Sequence, residues 1–203
     1  MWMARQKCPD IVFVPPQYDL YMKHSKNARE IYTEYTDQVE PFGLDECWLD
    51  VTGTTHLFGS GKEIANKIRE RMKLELGVSV SVGVSYNKIF AKLGSDYKKP
   101  DATTVIESNR FKEIVWPLPV KELLYVGRAT HNKLKRRGIL TIGDLALANP
   151  ESLRFSLGKM GITLWRFANG LDTSPVSNIG AKSLIKTVGN STAAPRDLVT
   201  DED

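Results

Sequence analysis

The sequence predicts an α+β fold, in which a domain of mixed helices and strands precedes a small all-helical domain. Three observations lead to this prediction. Up to Val115, segments with helical spacing of apolar residues alternate with short β-branched segments. After Trp116-Pro117-Leu118-Pro119, only short helical segments separated by glycines follow as far as Asp172. The chain has 203 residues, 41% hydrophobic and 26% charged, which is enough for one or two ordinary globular domains.

The first part of the chain predicts one helix and three extended segments. Ile11 to Val14 is a short apolar run stopped by Pro15, which predicts a strand. From Leu20 to Tyr35 apolar residues recur every three or four positions, which predicts an amphipathic helix. The two extended segments at 38–42 and 44–52 predict a hairpin or a bulged strand pair.

The next elements alternate between helix and strand. Ser60 to Glu63 is a capping box, and the helix it begins is expected to end at Gly77. From Val78 to Val84 valines alternate with serine and glycine, which predicts a strand with one nearly bare face against which a helix can pack closely. A helix capped by Asn87 is expected to reach Tyr97, and 103–106 is a further β-branched strand.

Charge is distributed unevenly along the chain, and this says more than the net charge of +4. From Glu34 to Asp50 there are six acidic side chains and no basic one. From Lys121 to Gly138 there are six basic side chains and one acidic one. The first region therefore suits cations and the second suits phosphates.

Several classes of protein are disfavoured by composition. No stretch approaches the roughly 18 apolar residues of a membrane span. The first seven residues lack the apolar segment of a secretory signal, so we expect a cytoplasmic protein. Cys8 and Cys47 are too few and too isolated for a disulfide framework or a zinc site, and we expect both to be reduced thiols.

Adjacent carboxylates at Asp45 and Glu46 are the first candidate site. Acidic residues inside an apolar run are costly to bury unless a cation or hydrogen-bond donors satisfy them, and Mg²⁺ prefers such ligands. On a regular strand the two side chains would point to opposite faces. They can reach one ion only at a strand end or a bulge, which Gly43 favours. The alternative is a half-exposed hairpin with a solvated acidic tip.

A group of lysines follows the bare-faced strand. Lys88 and Lys92 share a helical face at a spacing of four. Lys99 precedes Pro100 and is therefore expected in extended backbone, where it can meet a phosphate as a point charge. The alternative is a solvated helix face with no ligand.

The segment 123–145 is the third candidate site. A short helix, a glycine-containing turn and a basic helix would direct free backbone N–H groups at an anion. The pattern resembles the helix-hairpin-helix module, which holds a DNA phosphate backbone without reading bases. One of the module's glycines is kept, but Tyr125 stands where another is usual. The candidate DNA-binding residues are Gly127, Arg128, Thr130 and Lys133. The alternative is an ordinary helix-turn packing element.

Three segments in this order resemble signatures of the Y-family (translesion) DNA polymerases, especially the bacterial polymerase IV and ImpB/MucB/SamB branch. They are GLDECWLDVTG (43–53), SVGVSYNKIFAKLGSDYKKPDATTVI (81–106) and LLYVGRATHNKLKRRGILTIGDLA (123–146). The likeness extends over about residues 4–192. Gly43-Leu44 departs from the family, which more often has Ser-Ile, but the acidic pair is intact.

The resemblance implies a ferredoxin-like palm sheet with flanking helices, followed by an all-α thumb with a helix-hairpin-helix-like motif. Residues 1–116 would form a partial palm and 117–175 the thumb. Residues 176–203 would be a linker and the start of a little-finger domain whose body is absent. The implied activity is template-directed DNA synthesis in translesion synthesis, DNA repair and the SOS response.

The resemblance also implies roles for particular residues. Asp45 and Glu46 would be two of three carboxylates that hold a pair of catalytic Mg²⁺ ions, with Mn²⁺ as a substitute. Lys99 would contact the triphosphate of the incoming dNTP. The implied partners are primer-template DNA and, in an intact protein, the sliding clamp. The third carboxylate and the nucleotide-contacting Tyr and Arg would precede residue 1, so we expect a folded but catalytically defective fragment.

Two other functions are compatible with the sequence. The chain could be a non-catalytic, non-sequence-specific DNA-binding module in which the acidic pair has no role. A signalling nucleotidyl cyclase also uses a ferredoxin-like sheet with acidic residues at a hairpin. The basic segment after Lys121 disfavours the cyclase, which has no evident need to hold duplex DNA.

Overall fold

The computed structural model describes residues 1–181 and 187–189. The helices are α1 (Trp2–Lys7), α2 (Tyr18–Thr33), α3 (Thr55–Phe58), α4 (Gly61–Leu76), α5 (Lys88–Tyr97), α6 (Phe111–Val115), α7 (Arg128–Lys135), α8 (Ile142–Leu147), α9 (Pro150–Leu157) and α10 (Lys159–Ala168). The strands are β1 (Val39–Phe42), β2 (Glu46–Leu49), β3 (Val82–Ser85) and β4 (Thr103–Ile106). This mixture of helices and short sheets confirms the predicted α+β fold.

The hairpin of β1 and β2 packs against α2 and α4. The strands are antiparallel, and Phe42 pairs with Glu46 across a three-residue turn. The α4 helix forms where the sequence predicts it, because Ser60 and Glu63 make the capping box and Gly77 ends the helix at φ +67°. Its buried face joins residues of α2, of the segment that follows α2 and of β1 in one apolar cluster, which contains Ile31, Tyr32, Tyr35, Val39, Ile64, Ile68 and Met72.

The second sheet is a parallel pair connected by a helix. β3 and β4 are in register from Val82 opposite Thr103, and α5 crosses between them. The side chain of Asn87 caps α5 by accepting from the N–H of Phe90 at 2.8 Å. The bare face of β3 allows α5 to lie unusually close, since a β-carbon on Gly83 would be 1.8 Å from the carbonyl oxygen of Ala91.

The helices after α6 share one apolar core with α5 and β4. Its fully buried members include Phe90, Val115, Val120, Leu134 and Leu164, so the core continues across the change in composition near residue 117. A backbone bridge between Pro119 and Thr141 holds the two ends of the segment that contains α7 side by side.

Some sequence predictions are wrong or remain outside the structure. Residues 11–14 form no strand: two prolines follow them, Val12 and Val14 are 83% and 79% exposed, and the described residues offer no partner strand. The predicted strand 78–84 is regular only from Val82. The predicted first strand of a further domain falls mostly on residues 182–186 and 190–203, which lie outside the described residues.

Within the described residues the strands form two separate two-stranded sheets. β2 and β3 each pair on one side only, and both line the same cavity. None of the helices in residues 1–181 and 187–189 combines the length and apolar character needed to cross a bilayer.

Candidate active site

A cavity of about 860 Å³ lies between the hairpin, α2, α4 and β3. Its wall includes three of the candidate residues, namely Asp45, Glu46 and Lys99. The acidic pair and the lysine therefore face one common space, although they lie far apart in the sequence.

The hairpin turn places Asp45 and Glu46 at the N-terminal end of β2 rather than in its middle. Gly43 begins the turn at φ +80°, a conformation that favours glycine. The hydroxyl of Ser25 on α2 donates to the carbonyl oxygen of Leu44 and holds the turn in place. Asp45 is exposed within the turn, and Glu46 is the first residue of β2. Strand alternation therefore does not force the two side chains to opposite faces.

Lys92 links Glu46 to α5. Its Nζ lies 3.2 Å from Oε1 of Glu46 and 2.5 Å from Oδ2 of Asp96. The other oxygen of Asp96, Oδ1, lies 2.7 Å from Nζ of Lys99. The four side chains form one chain of ion pairs from the hairpin to the end of α5.

The charges in this chain of ion pairs stabilise one another. Burial lowers the pKa of Lys92, but hydrogen bonds to Asp96 and Glu46 outweigh this effect, so the pKa lies above its usual value. Burial likewise raises the pKa of Asp96, but the hydrogen bonds from Lys92 and Lys99 lower it by more. Lys92 and Asp96 are therefore both charged at neutral pH.

A third carboxylate on the wall, Asp101, is already engaged. Its side chain accepts from Arg69 at 2.7 Å and is also ion-paired with Lys73. Among the described residues no group of three or more His, Cys, Asp or Glu side chains is arranged to hold a metal ion. The acidic ligands that the cavity offers freely are therefore Asp45 and, in competition with Lys92, Glu46.

Lys88, one turn before Lys92, is a structural residue. Its Nζ lies 2.6 Å from Oε1 of Glu40 on β1 and donates to the carbonyl oxygen of Pro175 at 3.2 Å. The other oxygen of Glu40 accepts from the N–H of Ser177 at 2.8 Å. These contacts fasten the chain after α10 to β1.

The thumb-like candidate site is built on the turn before α7. Gly127 precedes the helix and supplies no capping side chain, so the first N–H groups of α7 have no partner within the helix. Gly127, Arg128 and Lys133 are exposed, and Thr130 is half-buried. These four residues carry backbone or side-chain donors and are grouped at the start and in the first two turns of α7.

Tyr125 has φ +69°, which explains why glycine is usual at its position in the helix-hairpin-helix module. A second cavity, of about 440 Å³, lies between residues 121–127 and α5. Lys92 borders this cavity as well as the larger one, so it stands between the acidic pair and the α7 turn.

Sequence reasoning missed Asp96 and gave Lys92 no specific partner. The spacing of Lys88, Lys92 and Asp96 at intervals of four residues indicates one helix face. The signal that could have found the ion pairs is the match between this face and the two glutamates of the hairpin, Glu40 and Glu46. That match depends on which helix covers the hairpin, which periodicity does not reveal.

Two family models match the chain. The model described as the impB/mucB/samB family matches residues 1–96, and the model described as "DNA polymerase-iota, thumb domain" matches residues 121–172. The first match contains the acidic pair and Lys92, and the second contains α7.

Curated proteins with similar sequences have one name in common. DNA polymerase IV of Acetivibrio thermocellus is 61% identical over 203 residues, which are 100% of this chain and 51% of that protein. DNA polymerase IV 1 of Bacillus subtilis is 39% identical, over 100% of this chain and 49% of that protein. The chain thus spans about half the length of the curated relatives it matches.

Solved structures give the same result. A chimera of the Y-family DNA polymerases Dbh and Dpo4 superposes with a TM-score of 0.79 at 29% identity, over 90% of this chain and 53% of that one. DinB from Sulfolobus solfataricus has a TM-score of 0.79 at 28% identity, over 87% and 52%. An insertion ternary complex of Dbh DNA polymerase has a TM-score of 0.77 at 27% identity, over 86% and 52%.

Proposed function

This chain belongs to the Y family of DNA-directed DNA polymerases, in the impB/mucB/samB branch, and from this membership we propose that its cavity is part of a polymerase active site that adds dNTPs to a primer 3′ end during translesion synthesis. The observation that supports this proposal most directly is the position of Asp45, Glu46 and Lys99 on the wall of one cavity. Phosphoryl transfer needs acidic ligands for metal ions and a cation for the triphosphate, and these residues supply both.

Asp45 and Glu46 suit Mg²⁺ by the chemistry of their oxygens. Mg²⁺ is usually held by one or two carboxylates, with water and substrate phosphates completing its shell. Mn²⁺ has the same preference for oxygen ligands. When bound, a pair of such ions would neutralise charge on the attacking and leaving oxygens. The protein's part is to present Asp45 in an exposed turn and Glu46 at the start of β2, where both remain accessible.

Lys99 is proposed to bind the triphosphate of the incoming dNTP. Its side chain is 58% exposed and is held by Asp96 at 2.7 Å, so it is directed but accessible. An ammonium group meets a phosphate as a point charge and needs no fixed plane, unlike a guanidinium group. An exchange of Asp96 for a phosphate oxygen would keep Lys99 paired throughout.

The α7 turn is proposed to hold the sugar-phosphate backbone of primer-template DNA. The uncapped N–H groups after Gly127 are donors for phosphate oxygens, and Arg128 and Lys133 add positive charge to the same surface. Such contacts fix the position of a duplex without reading its sequence. The predicted sliding-clamp contact stays a prediction, as does the cytoplasmic location.

We further propose that a polypeptide of these 203 residues alone extends a primer only in traces. The described residues contain two accessible carboxylates at the site and no arrangement of three. The resemblance to the family implies a third on a strand outside these residues. Within the described residues β2 and β3 each pair on one side only and both line the cavity, so their free edges would offer such a strand backbone partners.

Titration of the polypeptide with Mn²⁺, followed by the electron paramagnetic resonance signal of free Mn²⁺, tests the active-site proposal. We expect binding that weakens at least about tenfold in Asp45→Asn, because one of two anionic ligands becomes neutral. Asp10→Asn, at an exposed position outside the cavity, is the matched control. Binding that is the same in wild type and Asp45→Asn would overturn the assignment. Primer extension at the rate of a full-length relative would overturn the proposal of trace activity.

A non-catalytic DNA-binding module is the second candidate function, favoured by the exposed basic start of α7 and by the missing three-ligand cluster in the described residues. It predicts duplex DNA affinity that falls with salt, persists in EDTA and survives Asp45→Asn. The two functions are separated by Mn²⁺ binding, which only the polymerase site requires.

A further inference from the structure

We propose that Lys92 is a positioning residue that occupies Glu46 while the site is free of metal and releases it when a triphosphate engages Lys99. The proposal rests on the proposed polymerase function of the same cavity and adds a coupling between its two ligands. Asp96, which holds both lysines, is the residue through which the coupling acts.

The geometry gives Lys92 two competing partners. Its Nζ is 3.2 Å from Glu46 and 2.5 Å from Asp96, and its side chain is only 17% exposed. The exposed fractions of the Glu46 and Asp96 side chains are 38% and 39%, so both carboxylates remain in reach of ligands. A small movement of one half-buried ammonium group can therefore shift charge between the hairpin and α5.

Asp96 is divided between two lysines. Oδ2 pairs with Lys92 and Oδ1 with Lys99. The positive charge of Lys99 therefore weakens the attraction of Asp96 for Lys92. A triphosphate that takes Lys99 leaves Asp96 to Lys92 alone. The ammonium group is then drawn toward Asp96 and away from Glu46, whose oxygens become free to bind a cation.

The same pairs oppose binding of a lone divalent ion. The chain of ion pairs contains two ammonium groups and two carboxylates and is therefore neutral. A cation that binds Glu46 must displace Lys92 and is then repelled by the ammonium group of Lys92, which remains nearby. Because coupling between two ligands is reciprocal, occupied carboxylates would also favour the triphosphate at Lys99. The coupling therefore favours simultaneous binding of metal and nucleotide.

Lys88 shows what a purely structural lysine on α5 looks like. It pairs with Glu40 at 2.6 Å and contacts the chain after α10, but it does not line the cavity. Lys92 instead lines both the large cavity and the smaller one beside the α7 turn. Its position is therefore that of a group that meets ligands.

Mn²⁺ titration of the full 203-residue polypeptide tests the proposal, with the free-ion resonance signal as the readout. We expect Lys92→Met to bind Mn²⁺ about tenfold more tightly, because one positive charge a few ångströms from a divalent ion is removed and Glu46 is freed. Lys92→Arg keeps the charge and is expected to restore the wild-type affinity. Lys98→Met, at an exposed position that has no ion pair in the described part of the chain, controls for loss of a lysine nearby.

Lys99→Met gives a second test that does not depend on replacing the half-buried Lys92. It leaves Asp96 to Lys92, as a triphosphate would, and is expected to tighten Mn²⁺ binding severalfold more than Lys98→Met does. In the Lys92→Met background this extra gain should disappear. Far-UV circular dichroism checks that each variant is folded.

The outcomes separate this inference from the proposed function. Mn²⁺ binding that requires Asp45 but is unchanged or weaker in Lys92→Met and no tighter in Lys99→Met than in Lys98→Met would overturn the coupling and leave the polymerase site standing. Mn²⁺ binding that is indifferent to Asp45 would overturn both.

Discussion

Gly94 of α5 lies directly against Gly83 of β3, so that a β-carbon on Gly94 would be only 3.1 Å from the Cα of Gly83. This close approach sets the height of α5 above the second sheet. Since α5 carries Lys92 and Asp96, the packing of two residues without side chains determines where the ion pairs of the cavity lie.

Gly83→Ala is expected to destabilise the fold by about 3 kcal/mol, the upper range for overpacking a well-packed interior. Its new methyl group would be 1.8 Å from the carbonyl oxygen of Ala91 and 2.5 Å from the nitrogen of Ser95, both rigid backbone atoms of α5. Urea unfolding measures the free-energy change. Gly53→Ala, where a β-carbon would meet nothing within 4 Å, is the matched control and should change stability little. Equal urea midpoints for Gly83→Ala and Gly53→Ala would contradict the close packing of α5 on β3.

The sequence predicted the bare face of this strand but not the helix that covers it. Alternation of valine with small residues is a local pattern, whereas the choice of α5 as partner follows from tertiary packing. The capping box at Ser60 and the Asn87 cap were also predictable from local patterns, because each involves residues three positions apart. The pair of Lys92 and Glu46 was not, since it requires α5 to lie over the hairpin. The acidic pair, Lys99 and the residues at the start of α7 were recognisable as candidates from local chemistry alone.

The contact of Glu40 with the chain after α10 predicts a pH-dependent contribution to stability. Burial raises the pKa of Glu40, but hydrogen bonds from Lys88 and from the N–H of Ser177 outweigh it, so the pKa lies below its usual 4.5. A lowered carboxylate pKa stabilises the folded state fully above the unfolded value, and the contribution is lost as pH falls through the folded value. Glu40→Gln should therefore cost about 1 kcal/mol at pH 7 and progressively less below about pH 4.5.

Urea unfolding of wild type and Glu40→Gln from neutral pH down to about pH 3 measures this difference, and other titrating groups cancel in it. Glu30→Gln is the control, because in the described part of the chain the carboxylate of Glu30 makes only an exposed pair with Lys26, at 3.8 Å. A free-energy difference that stays constant through the acid range would show that the charge of Glu40 does not hold the linker.

Substitutions at the start of α7 should weaken duplex DNA binding equally for all sequences. Arg128→Ala and Lys133→Ala each remove one exposed cation from the proposed phosphate contact. Each is expected to lower the slope of log affinity against log salt by about 1, since one fewer counterion is released. Fluorescence anisotropy with two unrelated duplexes at several salt concentrations measures the slope. Lys26→Ala is the control. Lys26 lies in α2 with its side chain 77% exposed, and its replacement should leave the slope unchanged. A slope that responds equally to all three would place the DNA elsewhere.

The backbone conformation of Tyr125 predicts an unusual order of stability for two truncations. At φ +69° a β-carbon is strained and glycine is not, so Tyr125→Gly should be more stable than Tyr125→Ala by about 1 kcal/mol. Both variants lose the same ring, which lies 6.2 Å from that of Phe167, and the comparison therefore isolates the backbone. The same pair at Tyr21, inside α2 and also about half exposed, should show the opposite order, because glycine weakens a helix interior.

Chemical denaturation of the four variants decides the point, and a Tyr125→Ala variant as stable as Tyr125→Gly would mean that the left-handed turn is not maintained in solution. Its maintenance matters for the proposed function, since Tyr125 lies two residues before Gly127, where the uncapped first N–H groups of α7 begin. Tyr125→Gly should therefore keep the DNA affinity of the turn even though it removes a large exposed ring. If affinity falls instead, the ring itself contacts DNA, for example by stacking on a sugar or a base.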